Sequence, residues 1–141
     1  MNTTKALKVL LALAALNHLV VGLAAIFVPP GDIADWVIST SYGASFDITP
    51  VTHHIVRILG AFMLFVGVMG VFAFLEPRRY RAVIYALILL FLVRAGQRII
   101  FADEIQQNFN VSTMRLVSQT IFFLALAAAL FFLRPRTDKA I

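Results

Sequence analysis

Four long apolar runs dominate this chain: Val9 to Val28, Val51 to Leu75, Ala82 to Phe101 and Thr113 to Leu133. At ~1.5 Å of rise per residue, each is about long enough to cross a ~30 Å hydrocarbon core as a helix. The expected fold is therefore all-α, a four-helix transmembrane bundle formed as a single domain over residues 1–141. Composition agrees: 61% of residues are hydrophobic and only 13% charged, against about a quarter charged in soluble domains. The net charge of +5 would suggest nucleic acid in a soluble protein. Here the basic residues flank apolar spans, as the positive-inside rule produces, and nucleic-acid binding is rejected. The absence of cysteine excludes disulfides, thiolate metal sites and dithiol chemistry.

Along the chain, Lys5 and Lys8 precede the first span, which exceeds the ~7–15 residues of a signal-peptide core and ends at Pro29-Pro30-Gly31, so it reads as a retained helix. Asn17 and His18 lie near its middle. In the following loop Asp32 is a plausible N-cap, and Ile33, Trp36 and Val37 share one face. This predicts a short interfacial helix with Trp36 at headgroup level, lying across the mouth of the bundle. The second span begins with His53, His54 and Arg57, and Gly60, Leu64, Gly67 and Val71 follow on nearly the same stripe as the arginine. Small residues so spaced allow close helix contact, and packing is the simpler reading of the glycines. Pro77 ends that helix in the basic turn from Glu76 to Arg81. The stretch from Ala102 to Ser112 reads as a polar connection, and the fourth span opens with Arg115, Ser118, Gln119 and Phe122 on one face. The glycosylation sequon at Asn110-Val111-Ser112 is too short a pattern to carry weight.

Lys5, Lys8, Arg78, Arg79, Arg81, Arg134, Arg136 and Lys139 all fall on one side of the spans, and the opposite loops hold Asp32, Asp35, Asp47, Asp103 and Glu104. Both termini are expected in the cytoplasm, in a bacterial inner membrane. Only Arg57, Arg94, Arg98 and Arg115 break the pattern. Arg94, Gln97 and Arg98 stand at i, i+3 and i+4, on one face of the third span. An arginine near the bilayer centre costs about 2.5–3.5 kcal/mol on insertion scales, so this face should meet a protein interior, a wet cavity or an anion. The expected site is a polar pocket in the outer half, lined by Arg57, Arg94, Gln97, Arg98, Gln119, His53 and His54, with Asn17 and His18 beneath. Clustered guanidinium groups repel one another and match carboxylates, sulfur oxyanions and phosphates bidentately, which makes an anionic group the natural guest.

Simpler roles compete with this one. Arg98 and Arg115 lie near the span boundary, where they can snorkel to headgroups or pair with Asp103 and Glu104; Arg57 can reach the surface along its own helix. A mid-membrane histidine such as His18 often serves as an interhelical hydrogen bonder. Three functional classes remain open: a binding or transfer protein, or a small enzyme, that holds a polar-headed or anionic small molecule or lipid; a quinone-linked redox subunit; and an accessory subunit of a larger membrane assembly whose polar face is an interface, a reading against which a stable homo-oligomer would argue. Haem between His18 and His53 or His54 is disfavoured, because the two histidines would lie at different depths. No metal set or catalytic acid and nucleophile pairing stands out.

The segment Val56-Arg57-Ile58-Leu59-Gly60-Ala61-Phe62-Met63-Leu64-Phe65-Val66-Gly67, an arginine entering a glycine-spaced second helix after a Pro-containing loop, resembles the DoxX-like superfamily of small four-helix membrane proteins. The resemblance implies the same architecture. Because that superfamily includes a thiosulfate:quinone oxidoreductase subunit, it also implies an oxyanion or quinone near Arg57 and Arg94. Dithiol activities of its relatives are not carried over to a chain without cysteine. The four-helix eicosanoid and glutathione-metabolising enzymes do not match, since the second span has no acid before Glu76.

Overall fold

The computed structural model describes residues 3–29 and 49–135. The helix expected around Asp32 and Trp36 lies outside the described residues, as do Asp47, Arg136 and Lys139. Among the described residues all regular structure is helical: α1 (Thr3–Phe27), α2 (Pro50–Leu75), α3 (Arg81–Ile100), α4 (Ala102–Phe109) and α5 (Thr113–Leu133). The helices α1, α2, α3 and α5 are long and apolar enough to cross a membrane, and they fall on the four apolar runs. Much of their surface is what lipid would cover and water would not tolerate: Phe62, Phe65, Ile121 and Phe132 all point outward.

Helix starts follow local chemistry. Thr49 caps α2 through a reciprocal box with Thr52, their backbone N–H groups donating to each other's hydroxyls at 3.1 and 3.2 Å, and Pro50 occupies the first helical position. Ser112 caps α5, accepting from the Arg115 N–H. The helix α2 ends at Leu75, and Pro77 and the turn that follows lead directly into α3.

The helix α4 corrects the sequence reading of 102–112 as a polar connection. Asp103 and Glu104 occupy its first turn, where carboxylates complement the helix dipole, and Asn110 closes it in the left-handed conformation at φ 51°. Ala102 and Ile105 rest on Val111 and Leu116, so a local apolar cluster holds the short helix to the start of α5.

The long helices pack in two pairs, α1 on α2 and α3 on α5, joined by lesser contacts of α1 with α5 and α2 with α3. At Gly22 and Gly60 the first pair meets backbone to backbone. A Cβ on Gly22 would lie 2.7 Å from the Leu64 nitrogen, and one on Gly60 2.8 Å from the Ala25 Cβ and 3.0 Å from the Gly22 oxygen. Gly67 and Gly70 continue the seam against Leu19 and Ala15. Lipid offers no hydrophobic drive for helix association, so this close van der Waals fit is what holds the pair together. The Lys8 ammonium donates to the Leu75 carbonyl at 3.3 Å and fixes the register at one end.

All four long helices contribute to the main core: Leu7 and Leu11 from α1, Ala73 from α2, Ile84, Leu87, Ile88 and Phe91 from α3, and Ala127 and Leu130 from α5. These residues cluster toward the end that carries Lys8, Arg78, Arg79 and Arg134, here called the basic end. The far end holds a different set of side chains.

Candidate functional site

Three helices bring polar groups together between mid-span and the far end. On α1 the buried residues are Leu7, Leu11, Ala15, His18 and Gly22, spaced as one helical stripe, so the packing of Ala15 and Gly22 against α2 carries His18 inward. The imidazole is 3% exposed. Its Nδ1 lies 2.7 Å from the Ala14 carbonyl; an oxygen can only accept, so Nδ1 carries the proton and Nε2 is left as an acceptor. Nε2 is buried with no hydrogen-bond partner among the described residues.

His18 lies nine residues before the end of α1 and Phe91 nine before the end of α3, so the two stand at one level. Their ring centroids are 6.2 Å apart. Phe91 stacks on Phe123 of α5 at 6.1 Å, and Phe123 in turn lies against Phe122 at 5.8 Å. About one and two turns beyond Phe91, the two arginines of α3 reach the same ring: the guanidinium carbons of Arg94 and Arg98 are each 5.4 Å from the Phe123 centroid. Both side chains are half-buried. Arg94 sits six residues before the end of α3, about 9 Å along the helix axis, and its charge is within electrostatic reach of His18. Gln119 of α5 is half-buried, with its amide oxygen fully enclosed.

The arrangement is thus an aromatic column, His18–Phe91–Phe123, with two cations over its α5 end. Each cation–π contact contributes roughly 0.5–2 kcal/mol, more as water is excluded. Two guanidinium groups sharing one ring also repel, and a low dielectric strengthens that repulsion. Asp103 and Glu104, the acids proposed as partners of Arg98 and Arg115, are exposed on α4. Glu76 and Arg79 form an ion pair at the opposite end.

The remaining expected site residues do not join this cluster. Asn17 and Gln97 are exposed, as are His54 and Arg57. Gln97 shares the arginine face by sequence, but that face spans an arc of about 100°, and burial of Phe91 and Ala95 turns Gln97 outward. Arg57 stands on the rim of the glycine stripe of α2 rather than within it. His53 is buried, its Nε2 3.5 Å from the Val28 carbonyl, where it closes the end of α1 well away from the level of His18. No group of three or more metal-ligating side chains occurs among the described residues. Phe91 and Phe123, which join the cluster, did not stand out among the thirteen phenylalanines; their signal was position, three before Arg94 and four after Gln119.

Comparison with known proteins adds no further guide: no family model, no curated protein and no solved structure matches the chain.

Proposed function

We propose that the chain is a four-helix transmembrane bundle, with both termini on the cytoplasmic side of a bacterial inner membrane, that binds an amphiphile with an anionic head. Arg94 and Arg98 take the head, His18 Nε2 accepts a hydrogen bond from a protonated group on it, and the aromatic column with neighbouring apolar side chains receives the tail. The observation that carries this reading is the pair of guanidinium groups on the single Phe123 ring, inside a membrane-length helix. A quinone fits less well, since two cations exceed what a neutral carbonyl needs. The DoxX-like resemblance supports the architecture, but its Arg57 motif lies apart from the cluster.

Native mass spectrometry of the protein released from its own membrane in mild detergent, with an absorption spectrum of the same sample, tests the proposal. Wild-type protein should retain a small acidic molecule. Arg94→Leu should retain about tenfold less, the loss of one charge-assisted contact, while helix content stays the same. Unchanged ligand content in the folded variant would sink the proposal.

A second reading rests on Asn17. Its amide is exposed near the middle of α1, where lipid cannot satisfy it. A helix of another subunit, in a homo-oligomer or a larger membrane complex, would cover it. The same spectra report this as a stoichiometric protein mass that Asn17→Leu releases.

A further inference from the structure

We propose a second binding site, independent of the arginine pair on α3: a cleft at the basic end that holds the phosphodiester head of an anionic phospholipid. The cleft has a volume of about 760 Å³ and lies between the first turns of α1, the α2–α3 turn and the end of α5. That size is within the ~300–1,000 Å³ typical of small-molecule sites. Among the described residues its lining includes three arginines, Arg78, Arg79 and Arg134, against one acid, Glu76.

The three arginines are presented differently. Arg134 is held in place: its Nε donates to the Tyr85 hydroxyl at 3.2 Å, its Nη1 donates to the Phe131 carbonyl, and its guanidinium carbon lies 3.5 Å from the Phe131 ring centroid. A guanidinium has five N–H donors, so these contacts orient the group and leave donors for a ligand. Arg79 is braced by Glu76 at 3.5 Å, with both side chains largely exposed, a pairing too solvated to neutralise it. Arg78 is exposed on the turn and forms no ion pair among the described residues. Together they offer fixed and adjustable forks to one phosphate, the geometry in which arginine exceeds lysine.

Position separates a lipid from a soluble phosphate. The cleft opens at the common end of four membrane-length helices, the level at which headgroups would lie about helices that cross a bilayer. Its apolar wall continues from Leu7, 2% exposed, to Phe132, 77% exposed on the flank of α5. A phospholipid can place its phosphate on the arginines and lay its first methylenes along Phe132. Basic recesses between membrane helices on the positively charged side recognise acidic headgroups in this manner.

The test uses the full chain in mild detergent, titrated with phosphatidylglycerol or phosphatidylcholine and read by native mass spectrometry. Wild-type protein should retain phosphatidylglycerol and lose phosphatidylcholine, and millimolar inorganic phosphate should not displace the bound lipid. Arg78→Gln with Arg134→Gln should retain about tenfold less phosphatidylglycerol, with the melting profile and any molecule held at Arg94 unchanged. Should the double variant fail to fold, Arg78→Gln alone, on an exposed turn, keeps the measurement intact and should still weaken retention. Equal retention of both lipids, or undiminished phosphatidylglycerol in a folded variant, would overturn the site. Displacement by inorganic phosphate would overturn the lipid and assign the cleft to a soluble phosphate. Loss of the Arg94 ligand alone leaves this site standing, so the two proposals fail separately.

Discussion

The α1–α2 seam and the α3–α5 interface solve the same packing problem in opposite ways. Along the first, Gly22 and Gly60 let two backbones touch, and a single added carbon would collide with main-chain atoms. Along the second, Phe91 and Phe123 stack between the helices, and the guanidinium groups of Arg94 and Arg98 lie beside the Phe123 ring. Helices in contact through glycine leave no room for a long polar side chain between them. Beside the stacked rings of α3 and α5 two guanidinium groups are accommodated.

Removing the spacer should have the largest effect. Phe91→Ala deletes a ring that is 2% exposed and touches both His18 and Phe123; we expect a loss of about 3 kcal/mol, the low end for a buried phenylalanine because lipid removes the transfer term. Reversible unfolding in detergent measures it, and ligand retention should fall in the same variant. A smaller effect is expected at the seam. Gly60→Ala forces the α1–α2 backbones apart and should cost about 1–3 kcal/mol while leaving retention at Arg94 unchanged; a loss of ligand would show that the two interfaces are coupled rather than separate. The smallest effect has the opposite sign. Gly96 has nothing within 4 Å of a built Cβ, so Gly96→Ala should stabilise α3 by about 0.5–1 kcal/mol, the helix-propensity gain alone. Destabilisation there would mean that a partner helix approaches Gly96 closely.

How much of this was legible varies with the residue. The α3 arginines were readable because a charge inside an apolar run is costly wherever the helix points. Their environment was not, since it depends on which of thirteen phenylalanines faces them across α5. Adjacent residues on a helix diverge by about 100°, so Asn17 and His18 were equal candidates by sequence, and only the contact of Ala15 and Gly22 with α2 turns the histidine inward. The helix α4 was missed although its signals were present: Asp103 and Glu104 in a first turn, then Ile105 and Phe109 one turn apart. A polar composition outweighed that periodicity.

The sequence by itself determined four helices long and apolar enough to cross a membrane and the segregation of the loop and terminal basic residues to one end. Those follow from the free energy of placing each residue in lipid or water, a property of composition along the chain. Tertiary structure decided which face of each helix is inside, and with it which polar residues form a site. Spans apolar all round carry no hydrophobic stripe to orient them, so their rotation is set by contact between small residues on neighbouring helices, and that contact exists only once the helices meet.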